Sequence, residues 1–293
     1  MNHTLLVAIV AGLCGMFGWG FADFFAKKTI DVVGDLRTLF WAQVVGIVPL
    51  LGLFLADPKI PHLNKYDPLF LILFGVIGAL SYLPLYAAFG KGQLSLISPI
   101  FASYSVVVVA LAAVFLHASI SVNQEIALLI VFLGILLLSS DPREVRRYLK
   151  VRSEPVKGIP EVLSAMFVYS FWLLLLDKFL NGKGWVFYLL VVRCVAAVTL
   201  IVYSYVTNEK LSVERRSLWK FLALIGVFDV TALSAVSYGY SHTNHIAIVT
   251  VLSATFSLPT MVLAYIFLKE RIKPIQAVAA LLIICGIVII SLV

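Results

Sequence analysis

Ionisable residues are few enough in this sequence to be read one at a time: 13% of its 293 residues are Asp, Glu, Lys or Arg. Asp23, Arg193 and Asp229 stand inside long apolar runs, where a charge is costly and by default marks chemistry. Asp23 follows Trp19 by four residues, so on a helix the carboxylate and the indole share a face. Together they could hold a cation by charge and π-face or relay a proton; the competing reading is a carboxylate that snorkels to the interface beside Lys27. Arg193 and Asp229 suit a structural ion pair or a charge relay. Left unpaired, the planar guanidinium of Arg193 would receive a carboxylate or a phosphate.

Aromatic residues with polar handles form the second group. Trp19, Tyr82, Tyr86, Tyr104, Tyr169, Trp172 and Tyr238 all lie near the middle of apolar runs, whereas Tyr and Trp ordinarily favour the two bilayer interfaces. Central placement points either to core packing or to an internal cavity in which hydroxyl and indole groups meet a ligand. The substrate-binding set expected on this reasoning is Trp19, Asp23, Tyr82, Tyr86, Tyr104, Trp172 and Tyr238, with Trp19, Tyr86 and Tyr238 bordering one central site. His242 and His245 are spaced as metal ligands could be but have no third partner, and Cys14, Cys194 and Cys285 are scattered. Neither a metal site nor a disulfide framework is expected. No nucleophile–base–acid set or phosphate loop occurs, so no cofactor is expected, and a membrane-embedded enzyme would have to work with Asp23, Arg193 and Asp229 alone.

Apolar residues make up 62% of the chain and the mean hydropathy is +1.05. Soluble domains carry roughly 45–50% apolar residues, so a soluble enzyme and a nucleic-acid module are excluded, and the bilayer is an expected partner. Crossing a hydrocarbon core takes about 20 apolar residues of helix. Ten runs qualify, near 5–26, 38–56, 68–90, 94–116, 124–140, 160–180, 185–206, 218–240, 244–268 and 274–293; they are numbered here as spans 1 to 10. The net charge of +7 is a topology signal, not a polyanion footprint. Basic residues concentrate on alternate loops: Lys27, Lys28 and Arg37; Lys91; Arg143, Arg146, Arg147, Lys150, Arg152 and Lys157; Lys210, Arg215, Arg216 and Lys220; and Lys269, Arg271 and Lys273. The other side has only Lys59, Lys65, Lys178 and Lys183. Since cytoplasmic loops hold the excess, a multi-pass cell-membrane protein with both termini outside is expected.

The two halves repeat. At an offset of 152, Tyr86 meets Tyr238, Ala102 meets Ala254, Ser105 meets Ser257, Gln124 meets Gln276 and Gly134 meets Gly286; Met16, Phe17 and Phe21 match Met166, Phe167 and Phe171 at a slightly different offset. Five spans per copy is an odd number, so the second copy must cross upside down. An all-α integral membrane protein of two inverted five-helix repeats follows: residues 1–140, a basic cytoplasmic linker at 141–157, and residues 158–293. Inverted repeats are the architecture of secondary transporters, with the site near the midplane where the halves meet. Spans 5 and 10 are almost purely aliphatic and should pack at the periphery. Spans 4 and 9 carry small-residue stripes, Ser95/Ser98/Ala102/Ser105 and Ala247/Thr250/Ala254/Ser257, which favour close helix approach. Pro84, Pro99 and Pro259 fall inside spans, where they permit bends.

Gly18-Trp19-Gly20-Phe21, and Phe267-Leu268-Lys269-Glu270 followed by Gln276 and Gly286, resemble the drug/metabolite transporter superfamily in its ten-helix EamA-like branch. The resemblance implies a carrier of small metabolites, with spans 1–4 and 6–9 around a central cavity and spans 5 and 10 outside it. The first repeat departs from the pattern in having Ala118 where the second has Glu270. The expected function is alternating-access transport of a small polar metabolite, an amino acid or organic amine favoured. An organic anion or phosphate ester held through Arg193 is the runner-up, and a coupling proton stays open as a further partner; the oligomeric state is not readable from the sequence.

Overall fold

The computed structural model describes residues 3–116, 121–139, 157–180, 185–243 and 245–292. Backbone amides in lipid must be satisfied within their own segment, and every span is accordingly helical: α1 (His3–Val33), α2 (Asp35–Ala56), α3 (Asp67–Lys91), α4 (Leu94–Ala102), α5 (Tyr104–Leu116), α6 (Val122–Ser139), α7 (Ile159–Leu180), α8 (Trp185–Thr207), α9 (Trp219–His242), α10 (Ile246–Ala254), α11 (Ser257–Phe267) and α12 (Pro274–Leu292). Helix α1 runs past the predicted end of span 1 because its first charges are satisfied in place: Lys27 Nζ lies 2.7 Å from Asp31 Oδ1, one turn on. Spans 4 and 9 are each two helices, α4–α5 and α10–α11. Eight spans are long and apolar enough to cross a membrane, and α6 and α12 contain shorter apolar stretches, Val122–Ile135 and Pro274–Ile289. Apolar side chains face outward as well as inward, Val48 and Val206 among them, as lipid requires.

The breaks in spans 4 and 9 are equivalent. At the first, the Ser103 N–H and hydroxyl both donate to Ile100 O (3.2 and 2.5 Å). At the second, the Thr255 N–H and hydroxyl both donate to Leu252 O (3.3 and 2.8 Å). Pro259 has no N–H to offer Thr255 O, which accepts from Leu258 N instead (3.0 Å); a missing amide four residues on is how proline interrupts a helix. The hydroxyls at Ser103 and Thr255 supply bonds that a regular backbone would have made.

Packing repeats under exchange of the halves. Helix α1 lies on α9 as α7 lies on α3, and α2 lies on α9 as α8 lies on α3, while α2–α8 and α6–α12 pair across the axis. Glycines record the symmetry at close range. A Cβ on Gly75 would sit 2.4 Å from Val195 of α8, and one on Gly226 would sit 2.9 Å from Val45 of α2. A Cβ on Gly134 would meet Ile283 at 2.7 Å, and one on Gly286 would meet Val131 at 2.4 Å. Helices α6 and α12 therefore cross at their glycines, and no described residue of either lines the cavity between the halves. The 141–156 part of the linker, Ala118, Lys183 and the side chains of Asp177 and Lys178 fall outside the described residues.

Candidate functional site

Eight helices leave a cavity of two adjoining chambers between the repeats. The first, about 70 Å³, is lined by Trp19, Ala22 and Asp23 of α1, Ala42 and Gln43 of α2, Tyr82, Leu85 and Tyr86 of α3, Phe101 and Tyr104, Tyr169, Arg193, Ile225, Asp229 and Phe256. The second, about 240 Å³, shares Trp19, Gln43, Tyr82, Tyr169, Arg193 and Asp229 with the first. It extends past Gly78, Trp172, Leu233 and Ser237 to Trp185, where α8 begins. Six of the seven expected binding residues, Trp19, Asp23, Tyr82, Tyr86, Tyr104 and Trp172, line one or both chambers.

Tyr238 does not. It is 54% exposed, stacks on His242 with ring centroids 3.9 Å apart, and lines an apolar groove with Leu6, Val7, Val10, Ala11 and Ala235. The expectation that it borders the central site is corrected, and the reason is register. The paired glycine contacts place Gly226 opposite Gly75, an offset of 151, so the structural counterpart of Tyr86 is Ser237, which does line the second chamber. One residue along a helix is a turn of about 100°, enough to carry Tyr238 from cavity to lipid.

Charge in the cavity is arranged in one pair and one single group. Arg193 Nη2 donates to Asp229 Oδ2, with side-chain exposures of 14% and 28%. The guanidinium has room because Gly46 lies beneath it: a Cβ there would be 1.7 Å from Arg193 Nη1. Asp23 accepts a hydrogen bond of 3.3 Å from the Ser98 hydroxyl, and among the described residues no Lys or Arg lies within ion-pair distance of it. None of these charges has a charged counterpart in the other half. Val45 and Val195 occupy matching contacts at an offset of 150, which puts Gln43 opposite Arg193 and, by the same step, Leu173 opposite Asp23, while Gly78 stands opposite Asp229 at 151. The electrostatics of the site are thus asymmetric on a symmetric frame.

Aromatic rings form the wall. Tyr169 is their hub, with ring centroids 5.6 Å from Tyr82, 5.3 Å from Phe101, 5.0 Å from Tyr104 and 5.4 Å from Trp172. Trp19 meets Phe256 edge-on at 6.2 Å. Trp172 spends its indole N–H on Phe74 O (2.8 Å), so towards a ligand it presents a ring and no donor. Sequence reasoning placed Tyr169 among the central aromatics but outside the binding set, read Ser98 as part of a small-residue packing stripe, and passed over Gln43, Phe101 and Phe256. The 150 offset that pairs Trp19 with Tyr169 and Gln43 with Arg193 carried the missing signal for Tyr169 and Gln43.

The face holding Lys91, Lys210, Arg215, Arg216, Lys220, Lys269, Arg271 and Lys273, here the basic face, is stitched across the repeats. Arg37 Nε donates to Lys210 O (2.7 Å) and Trp41 Nε1 to Leu211 O (2.8 Å), and Trp41 packs edge-on against Trp219 at 4.5 Å. Lys91 pairs with Glu161 at 2.7 Å. The Glu270 carboxylate accepts from Leu94 N (2.8 Å) and from Ser95 N and Oγ (2.9 and 2.5 Å).

Ten membrane spans in two inverted repeats, closing on a small polar and aromatic cavity, define the class of a multi-pass membrane transporter. The chain belongs to the EamA-like transporter family, whose profile matches residues 6–140 and 156–292. It is similar to an uncharacterized transporter of Archaeoglobus fulgidus, 25% identical over 278 residues, covering 92% of this chain and 91% of that one. An uncharacterized protein of Methanocaldococcus jannaschii is 30% identical over 135 residues, 45% of this chain but 96% of its own length, so a single repeat's worth of sequence accounts for that relative. A solved crystal structure, among others, shares the fold, with a TM-score of 0.64 over 97% of both chains at 13% identity. This kinship makes the protein a transporter by family and points to a transporter rather than an enzyme.

Proposed function

We propose that the protein is a secondary carrier that moves a small polar metabolite, an amino acid or organic amine, across the cell membrane by alternating access. The observation that carries this reading is the charge balance of the cavity. Arg193 is already engaged by Asp229, which leaves Asp23 as the cavity carboxylate with no cationic partner among the described residues. A carboxylate within a membrane cavity whose only partner among the described residues is a hydroxyl favours a cation or a proton. Trp19, four residues before it on the same face, adds the ring that a cationic group prefers. The amine of the cargo sits at Asp23 and Trp19, its remaining bulk lies against Tyr82, Tyr86, Tyr104, Tyr169 and Trp172, and a coupling proton occupies the same carboxylate when cargo is absent. An organic anion is the weaker alternative because it must first break the Arg193–Asp229 pair. The basic face is cytoplasmic on the loop charge rule, which puts both termini outside.

Sealed proteoliposomes loaded from panels of labelled amino acids, amines and organic phosphates test the proposal. Saturable uptake with counterflow of an amine or amino acid, lost in Asp23→Asn, is the expected result. Saturable uptake of an organic phosphate that Asp23→Asn leaves intact and Arg193→Gln abolishes would transfer the site to the anion reading. For the topology, a reporter active only in the cytoplasm and fused to Val293 should be silent; a strong signal there reverses it.

A further inference from the structure

Helix α4 begins without a cap of its own. Gln93 precedes it in extended conformation and makes no side-chain cap bond; its carbonyl serves Leu96 N and Ile97 N at 3.1 and 3.0 Å. The amides of Leu94 and Ser95, which point out of the helix end and carry the positive end of its dipole, are taken by one carboxylate from the other repeat. Glu270, 176 residues away in sequence from Leu94, binds both amides and the Ser95 hydroxyl. The turn after α11 is shaped to deliver it: Lys269 adopts φ 55°, the left-handed region, and Glu270 N bonds back to Ala264 O at 3.3 Å. One turn further along α4, Ser98 holds Asp23. A single nine-residue helix is therefore tied at its start to the second repeat and along its length to the cavity carboxylate.

We infer that Glu270 is a positioning residue for transport: it caps α4 in trans and so latches the two repeats together at the basic face, and the latch must open for cargo to pass that side. The first repeat carries no matching device in its sequence, with Ala118 at the position of Glu270 and Ala247 at that of Ser95. The equilibrium of the unloaded carrier is consequently biased towards the state closed at the basic face. The inference rests on the alternating-access reading for its role in transport, but the latch itself can be tested without cargo.

The experiment uses full-length protein in oriented membrane vesicles, with Cys14, Cys194 and Cys285 replaced by Ala and one reporter cysteine at a time, Ala42→Cys in the first chamber or Leu233→Cys in the second. A membrane-impermeant thiol reagent is applied from each side. Glu270→Gln should speed labelling of Ala42→Cys from the basic face by about fivefold or more and slow labelling of Leu233→Cys from the opposite face, the population change expected when charge-assisted hydrogen bonds are lost. Ser95→Ala, which removes a hydroxyl and leaves both amides capped, should shift both rates in the same directions by less. Unchanged rates, or both rates rising together as in general loosening, overturn the latch. If Glu270→Gln does not reach the membrane, Ser95→Ala decides alone by the same criterion. A protein whose labelling shifts as expected but which shows no flux of any cargo would refute the carrier proposal while leaving the latch standing.

Discussion

The Arg193–Asp229 pair separates structure from recognition, and a double-mutant cycle on it is decisive. The perturbations are Arg193→Gln, which copies the residue that stands opposite it as Gln43, Asp229→Asn, and the two combined. At ion-pair distance and an effective dielectric near 20, the attraction is about 4 kcal/mol. The 28% exposure of the Asp229 side chain reduces that, to a coupling of about 2–3 kcal/mol. Each single variant leaves its partner charged in the cavity and should fall in apparent Tm by about 5–10 °C in detergent, taking roughly 2–4 °C per kcal/mol for a chain of this size. The double variant should recover most of the loss, because neutral amides can hydrogen-bond where the charges stood. Equal losses in the singles that simply add in the double would refute the pairing argument. A double variant that is stable but has lost all uptake would show that Arg193 or Asp229 meets cargo directly.

Gly46→Ala changes neither partner of that pair, yet its Cβ would fall 1.7 Å from Arg193 Nη1; we expect it to cut the coupling energy in the same cycle by about half or more, and an undiminished coupling would show that the guanidinium relocates freely. Tyr169→Ala and Trp19→Ala should each weaken cargo binding by about 0.5–2 kcal/mol, a few-fold to about thirtyfold, whereas Tyr238→Ala should leave binding unchanged; isothermal titration or thermal-shift midpoints against cargo concentration read all three. Gly134→Leu should destabilise the α6–α12 crossing, with loss of apparent Tm at unchanged cargo affinity, since no described residue of either helix lines the cavity.

Most of the architecture is legible because it depends on quantities that survive averaging. Twenty apolar residues read as a span whatever their order, and nine of the ten predicted spans end within a few residues of the observed helices. The breaks at Ser103 and Thr255 were not legible in the same way: a hydroxyl bonding its i−3 carbonyl looks in sequence like any Ser or Thr in a membrane helix. Tyr238 shows a sharper limit. Matching Tyr86 to Tyr238 satisfies identity, and matching it to Ser237 does not, yet the glycine contacts select Ser237. The offset drifts from 150 in spans 1 and 2, fixed by Val45 and Val195, through 151 in span 3 to 152 in span 5, fixed by Gly134 and Gly286. A one-residue drift is invisible to pattern matching but rotates a helix face by about 100°.

The same drift explains how a symmetric frame can hold an asymmetric site. With the offsets corrected, the chambers pair Trp19 with Tyr169, Ala42 with Val192 and Tyr104 with Phe256, so shape is conserved between the halves. Charge is not: Asp23 faces the frame position of Leu173, Arg193 that of Gln43, Asp229 that of Gly78, and Glu270 that of Ala118. A carrier built from inverted copies has two states of nearly equal packing, because exchanging the roles of the halves exchanges the states. What distinguishes the states energetically is therefore whatever breaks the symmetry. On the proposed function the cavity charges would set which cargo is held, and on the inferred latch the Glu270 cap would set which face is closed while the cavity is empty. Removing the first should alter affinity with little change in access, and removing the second should alter access with affinity shifted only as far as the open fraction changes.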